Sequence, residues 1–150
     1  GYCLSAVANK NNLNLVAVAL KCDSSPKRFK ECMELFNYGF SNFENKKLYT
    51  AGQQLDTSVS VKGGNKSTAN VIVLKNFSVV NKIGEGKDLE IKVEIPDEVK
   101  APVKANETIG KIVVLKKGVV VGEVPVGLVE DISKQSYGDA IRKIFENWEV

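Results

Sequence analysis

From residue 44 to residue 132, apolar residues recur at every second position in short runs broken by turn residues. A helix has no use for that period, so it commits the stretch to strands. Val59/Val61, Val71/Val73, Phe77/Val79 and Leu89/Ile91/Val93/Ile95 each alternate, with Lys62-Gly63-Gly64-Asn65, Lys75-Asn76 and Gly84-Glu85-Gly86 between them. The strongest local signal is a hairpin: the runs Ile109 to Leu115 and Val119 to Val124 flank Lys116-Lys117-Gly118, a tight-turn sequence. Short strands at regular spacing with no helical period predict an antiparallel sandwich or small barrel.

The two flanks follow other rules. Residues 2–20 read as two strands around Asn9-Lys10-Asn11-Asn12, with Leu4, Ala6 and Ala8 alternating before and Leu13, Leu15, Ala17 and Ala19 after. Val16, Val18 and Leu20 make the second strand apolar on its other face too, as in a sheet covered on both sides. Ser24-Ser25-Pro26 then reads as an N-cap followed by proline at the first helical position, Phe29, Cys32, Met33 and Phe36 fall at helical spacing, and Gly39 is expected to end the helix. A hairpin and one helix, about 40 residues, lie at the lower limit for a self-sufficient core, so this piece needs a partner. The aromatic-rich stretch Asn37 to Glu44 reads as a packed junction. Beyond Ser133, Tyr137, Ile141, Ile144, Phe145 and Trp148 share one stripe, and Arg142, Lys143, Glu146 and Glu149 lie off it. That is a short amphipathic helix, with Asp139 favouring the dipole of its first turn. The predicted domains are 1–43, 44–132 and 133–150.

Composition removes several function classes. There is no histidine, which excludes imidazole catalysis and histidine-containing zinc sites. The net charge is +3, with lysines dispersed along the chain, so no nucleic-acid partner is expected. Cys3, Cys22 and Cys32 form no C-x-x-C motif and read as free thiols. No apolar run is long enough to span a bilayer and no signal peptide is evident. Gly1 already lies in a strand pattern, so it is expected to mark a cut inside a longer protein.

The candidate sites are few. Lys62 to Thr68 lacks the spacing of a phosphate-binding loop and reads as a turn. Asp56, Asp88, Asp97, Glu98 and Glu123 lack calcium-loop spacing, and no metal or cofactor is expected. Asn65, Asn76 and Asn106 head N-x-S/T sequences, which in a eukaryotic secreted protein would mark glycosylated loops. The terminal helix has two readings: Ile141, Ile144, Phe145 and Trp148 either pack on the β-domain or lie in a membrane interface, with Trp148 at headgroup level. The helix carries Arg142 and Lys143 against Asp139, Glu146 and Glu149, so its own attraction to anionic lipid is weak.

Ala101-Pro-Val-Lys-Ala-Asn-Glu-Thr-Ile-Gly-Lys-Ile-Val-Val-Leu115 and Val119 to Val126 resemble the C-terminal domain of the low-molecular-mass penicillin-binding proteins, the serine D-alanyl-D-alanine carboxypeptidases. Gly1-Tyr2-Cys3-Leu4 is similar to the start of the strand after that family's K-T-G motif, and Arg28-Phe29, Glu31 to Leu35 and Asn37-Tyr38-Gly39-Phe40 to its last catalytic-domain helix. The resemblance implies a mainly β fold: a sandwich-like stalk preceded by a hairpin-plus-helix remnant of an α/β transpeptidase-like domain, with a terminal amphipathic helix. It implies a parent that removes the terminal D-Ala from peptidoglycan stem peptides through an acyl-enzyme on serine, on the outer face of the bacterial cytoplasmic membrane. That chemistry needs S-x-x-K, S-x-N and K-T-G. The last two do not occur in this sequence, and the single S-x-x-K, Ser24 to Lys27, reads as a helix cap. No catalytic residue is therefore assigned, and these 150 residues are expected to be inactive. The expected partners are peptidoglycan peptide through the missing catalytic part, the membrane surface, and either a second copy or the catalytic part for residues 1–43. The alternative is a free-standing β-sandwich module binding cell wall or a protein. An exposed aromatic row would favour it, but Tyr49 and Phe77 are the obvious aromatics in this stretch.

Overall fold

The computed structural model describes residues 1–85 and 88–148, so the expected turn residue Gly86 and the helix residue Glu149 lie outside the described residues. The chain divides into two compact units, Gly1–Lys47 with Ser78–Asp88, and Leu48–Phe77 with Leu89–Val150.

The first unit begins with the antiparallel hairpin β1 (Tyr2–Lys10) and β2 (Leu13–Cys22). Asn11 and Asn12 both have positive φ, 52° and 61°, the conformation a two-residue turn needs and one asparagine tolerates. The helix α1 (Ser25–Asn42) packs on one face of this hairpin. Its contact face is Cys32, Phe36 and Gly39, at spacings of four and three residues. Gly39 is not the C-terminal stop expected from the sequence, because the helix runs on for three residues to Asn42, whose side chain bonds the Tyr38 carbonyl. The physical reason is packing: a Cβ on Gly39 would lie 2.4 Å from Leu15 Cδ1, so glycine lets the helix approach the strand. Two further strands, β3 (Phe43–Tyr49) and β6 (Phe77–Lys82), form a separate two-stranded sheet. Sequence periodicity misses β3, since Phe43-Glu-Asn-Lys-Lys-Leu-Tyr49 mixes charge into both faces.

The second unit holds a six-stranded sheet of β4 (Gln54–Lys62), β5 (Thr68–Val73), β7 (Leu89–Glu94), β8 (Glu98–Lys100), β9 (Thr108–Lys116) and β10 (Val119–Leu128), in the order β7-β9-β10-β5-β4-β8. The fold is thus mainly β, as the alternation requires. Every pairing in this sheet is antiparallel except β4 with the three-residue β8, which is parallel. The predicted hairpin is present, with Lys117 and Gly118 at φ 51° and 78° in the turn. Val59, Val71, Val73, Ile112, Val114, Val124, Val126 and Leu128 fill the interior. The interior closes at one end where Val103 and Ile132 exchange backbone hydrogen bonds of 3.0 and 2.8 Å, both side chains being buried.

Candidate membrane-facing helix

The last described element, α2 (Tyr137–Glu146), starts from a fixed point. The segment before it is tied to the sheet by Ile132 to Val103, by Asn65 N–H to the Ser133 carbonyl at 3.0 Å, and by Gln135 N–H to the Gly63 carbonyl at 2.8 Å. Lys66 Nζ donates to both Glu130 carboxylate oxygens at 2.6 Å, and Asp131 accepts from the Ala105 N–H at 2.7 Å. Gly64 lies under Ile132 so closely that a Cβ there would sit 2.8 Å from its Cγ2. The loop read as a turn from the sequence is therefore the pedestal of α2. Ser136 then caps the helix through a reciprocal capping box with Asp139, which satisfies two N–H groups that would otherwise have no partner.

At 100° per residue, Tyr137, Ile141, Ile144, Phe145 and Trp148 span roughly a 100° arc, and Asp139, Arg142, Lys143 and Glu146 occupy the opposite side. No residue of α2 is buried. Ile141, Ile144, Phe145 and Trp148 are 54, 62, 61 and 76% exposed, so each is more open to solvent than covered. Trp148 follows the C-cap Asn147 and bonds back to the Phe145 carbonyl at 3.1 Å. The charged side, by contrast, lines a groove of about 310 Å³ with Asn65 and Ser133 of the pedestal. This inverts the usual arrangement of a surface helix, whose apolar stripe faces the core. Among the described residues, no helix is long and apolar enough to cross a membrane.

The other candidates have ordinary roles. Ser24 is the N-cap of α1, its Oγ accepting from the Lys27 N–H, while the Lys27 ammonium bonds to Asp23. That hydrogen bond, and then the opposite charge, raises the Lys27 pKa and lowers that of Asp23, which is the wrong direction for a lysine that must deprotonate a serine. A groove beside β9 is lined by Glu94, Lys111 and Glu123, where Lys111 bonds Glu123 at 2.7 Å and lies 3.8 Å from Glu94. The bond to Glu123 raises the Lys111 pKa and keeps it protonated, so this is a cross-strand ion-pair ladder. Among the described residues there is no cluster able to hold a metal ion.

Residues 43–134 match the model of a family described as the penicillin-binding protein 5 C-terminal domain. The chain is 27% identical over 148 residues to the D-alanyl-D-alanine carboxypeptidase DacF of Bacillus subtilis, covering 98% of this chain and 38% of that protein. It is 26% identical over 136 residues to the D-alanyl-D-alanine carboxypeptidase DacA of Haemophilus influenzae, covering 89% of this chain and 34% of that one. The chain therefore spans little more than a third of the curated relatives it matches. Among solved structures, penicillin-binding protein 5 from Haemophilus influenzae superposes with a TM-score of 0.71 at 24% identity, over 89% of this chain and 39% of that one. The carboxypeptidase DacD from Francisella tularensis gives 0.57 at 25% identity, over 90% and 34%. The likeness to the first of these establishes the fold.

Proposed function

The chain belongs to the family of the penicillin-binding protein 5 C-terminal domain, and from that membership we propose that it is the stalk and membrane-associating part of a D-alanyl-D-alanine carboxypeptidase. The parent trims the terminal D-Ala from peptidoglycan stem peptides on the outer face of the bacterial cytoplasmic membrane. This part contributes no catalytic group: the six-stranded unit is the stalk, and α2 is the contact with lipid. The open face of the β1–β2 hairpin meets the catalytic part of the parent or, in these 150 residues taken alone, a second copy.

The observation that carries the reading is the orientation of α2. Its apolar stripe is turned to solvent and its charged side toward the pedestal, so the helix is displayed for an interface without having to detach. Burying Ile141, Ile144, Phe145 and Trp148 in the acyl boundary offers about 1.5–3 kcal/mol each at most. A helix this short does not persist alone in water, so part of that gain offsets the cost of ordering it, and binding is weak and reversible. Co-sedimentation with liposomes should be lost on changing Phe145→Glu together with Trp148→Glu, and sedimentation unchanged by that pair would sink the proposal. Incubation with a fluorescent penicillin should leave no labelled band after denaturing electrophoresis. A band that vanished on Ser24→Ala would restore catalysis to this chain.

A further inference from the structure

α2 has no net charge of its own among its described residues, with Arg142 and Lys143 set against Asp139 and Glu146. The cations at this end of the molecule lie instead on the sheet. Lys62 and Lys100 are register partners at the ends of the parallel strands β4 and β8, and the Ala101 N–H bonds the Lys62 carbonyl at 3.0 Å. Lys104 stands next to Val103, which is bridged to Ile132, and Lys134 bridges Gly64. All four lysines are exposed, and among the described residues none has an ion-pair partner. A fifth, Lys66, is held by Glu130.

Of the carboxylates at this end, Glu107 and Asp131 accept from the backbone N–H groups of Lys104 and Ala105, Glu130 holds Lys66, and Asp139 and Glu146 line the α2 groove together with Arg142 and Lys143. Glu98 stands two register positions up the strand, opposite Ser60. The other end of the sheet, at the β9–β10 turn, is roughly 30 Å away at 3.3 Å per residue of β10. Four of the uncommitted lysines thus lie at the end from which α2 departs.

We propose that Lys62, Lys100, Lys104 and Lys134 form a collar that binds anionic phospholipid headgroups beside the inserted helix, so that the β-domain supplies the electrostatic half of membrane recognition and α2 the apolar half. This rests on the anchoring role given to α2. Lysines within a Debye length of an anionic leaflet each strengthen binding by about fivefold, and the effect is screened by salt. The four residues come from four separate segments, β4, β8, the β8–β9 connection and the α2 pedestal, so the collar exists only in the folded β-domain.

The test compares vesicles of phosphatidylcholine alone with vesicles containing roughly one third phosphatidylglycerol, using the full 150-residue chain. The unmodified chain should prefer the anionic vesicles by about tenfold or more, and lose that preference at high salt. Changing Lys62, Lys100, Lys104 and Lys134 to Gln should abolish the preference while leaving binding to neutral vesicles unchanged. Changing the exposed lysines Lys10, Lys46, Lys47 and Lys82 of the first unit to Gln, an equal loss of charge, should leave it intact. Circular dichroism verifies the fold of each variant, and the salt dependence of the unmodified chain tests the collar without any variant. A preference that survives loss of the collar, or falls equally with the control set, overturns the proposal. Phe145→Glu with Trp148→Glu reports separately on the anchor, through loss of binding to neutral vesicles. A chain that binds neither vesicle overturns both.

Discussion

In the six-stranded sheet the interior is filled by large aliphatic side chains, with Ile112, Val114, Val126 and Leu128 at 0% exposure. In the hairpin unit the buried cluster is Ala17, Ala19, Cys22 and Cys32, and several large residues lie outside: Val7, Val16 and Leu20 are 71, 68 and 70% exposed on the free face of the hairpin. Phe29, Met33 and Tyr38 are exposed on α1 as well. The two units have comparable apolar sequences and opposite uses for them. A sheet whose large residues converge has completed its core. A hairpin that covers one face with a helix and leaves Val and Leu on the other keeps one apolar face exposed.

The largest expected effect tests that contrast directly. Leu128→Ala should destabilise the six-stranded unit by about 2–5 kcal/mol, read from urea unfolding, because the cavity it leaves is enclosed. Leu20→Ala in the hairpin should change stability by no more than about 0.5 kcal/mol. Equal losses at the two positions would break the comparison. Next in size is self-association. If the free hairpin face meets a second copy, Val16→Lys with Leu20→Lys should shift the monomer–oligomer midpoint in light scattering by at least about tenfold, since each apolar side chain returned to water forfeits up to about 1.5–3 kcal/mol. A chain already monodisperse and monomeric before substitution would remove the second copy from the account.

Periodicity made most of this legible in the sequence, and its failures have specific causes. The hairpins at Asn11-Asn12 and Lys117-Gly118 could be placed because their residues accept positive φ, and the strand faces because β-period alternation survives wherever one face is buried. Gly39 misled because glycine marks close approach as readily as helix termination, and nothing local distinguishes a contact with Leu15 made 24 positions away in sequence. β3 and the short parallel β8 carry too little alternation to be seen, and their pairings are non-local. The stripe of α2 was equally plain, yet which way it faced was not. That depends on the pedestal at Gly63 to Lys66, and the clustering of Lys62, Lys100, Lys104 and Lys134 likewise depends on strand register.

A smaller effect bears on α2 itself. Ser136→Ala removes the capping box and should weaken the helix by about 1 kcal/mol. Because no residue of α2 is buried, this loss should leave the urea midpoint of the sheet unchanged. It should be visible in amide exchange of residues 139–146 and, as the lost helix must be rebuilt on lipid, in weaker vesicle binding. A shift of the global midpoint as large as that of Leu128→Ala would mean that α2 is part of the core after all.

The smallest expected effect concerns Asp23 and Lys27, an exposed pair at the start of α1. The carboxyl of Asp23 is held below its ordinary range by the hydrogen bond from Lys27 and then by its charge, and the Lys27 ammonium is raised by the same two causes in the same order. A depressed carboxyl stabilises above its unfolded pKa, and the contribution disappears as pH falls through the folded value. A raised ammonium stabilises below its unfolded pKa, and that contribution disappears as pH rises through the folded value. Asp23→Asn should therefore cost a barely measurable amount at neutral pH and nothing in strong acid, with solvent and salt screening most of it. The same substitution also releases Lys27 beside Ser24, the one S-x-x-K in this sequence. If Asp23→Asn remains unlabelled by fluorescent penicillin, Ser24 is a helix cap in either protonation state of its neighbour. Labelling that appeared only in this variant would mean that Asp23, and not the absence of the other motifs, had kept the serine silent.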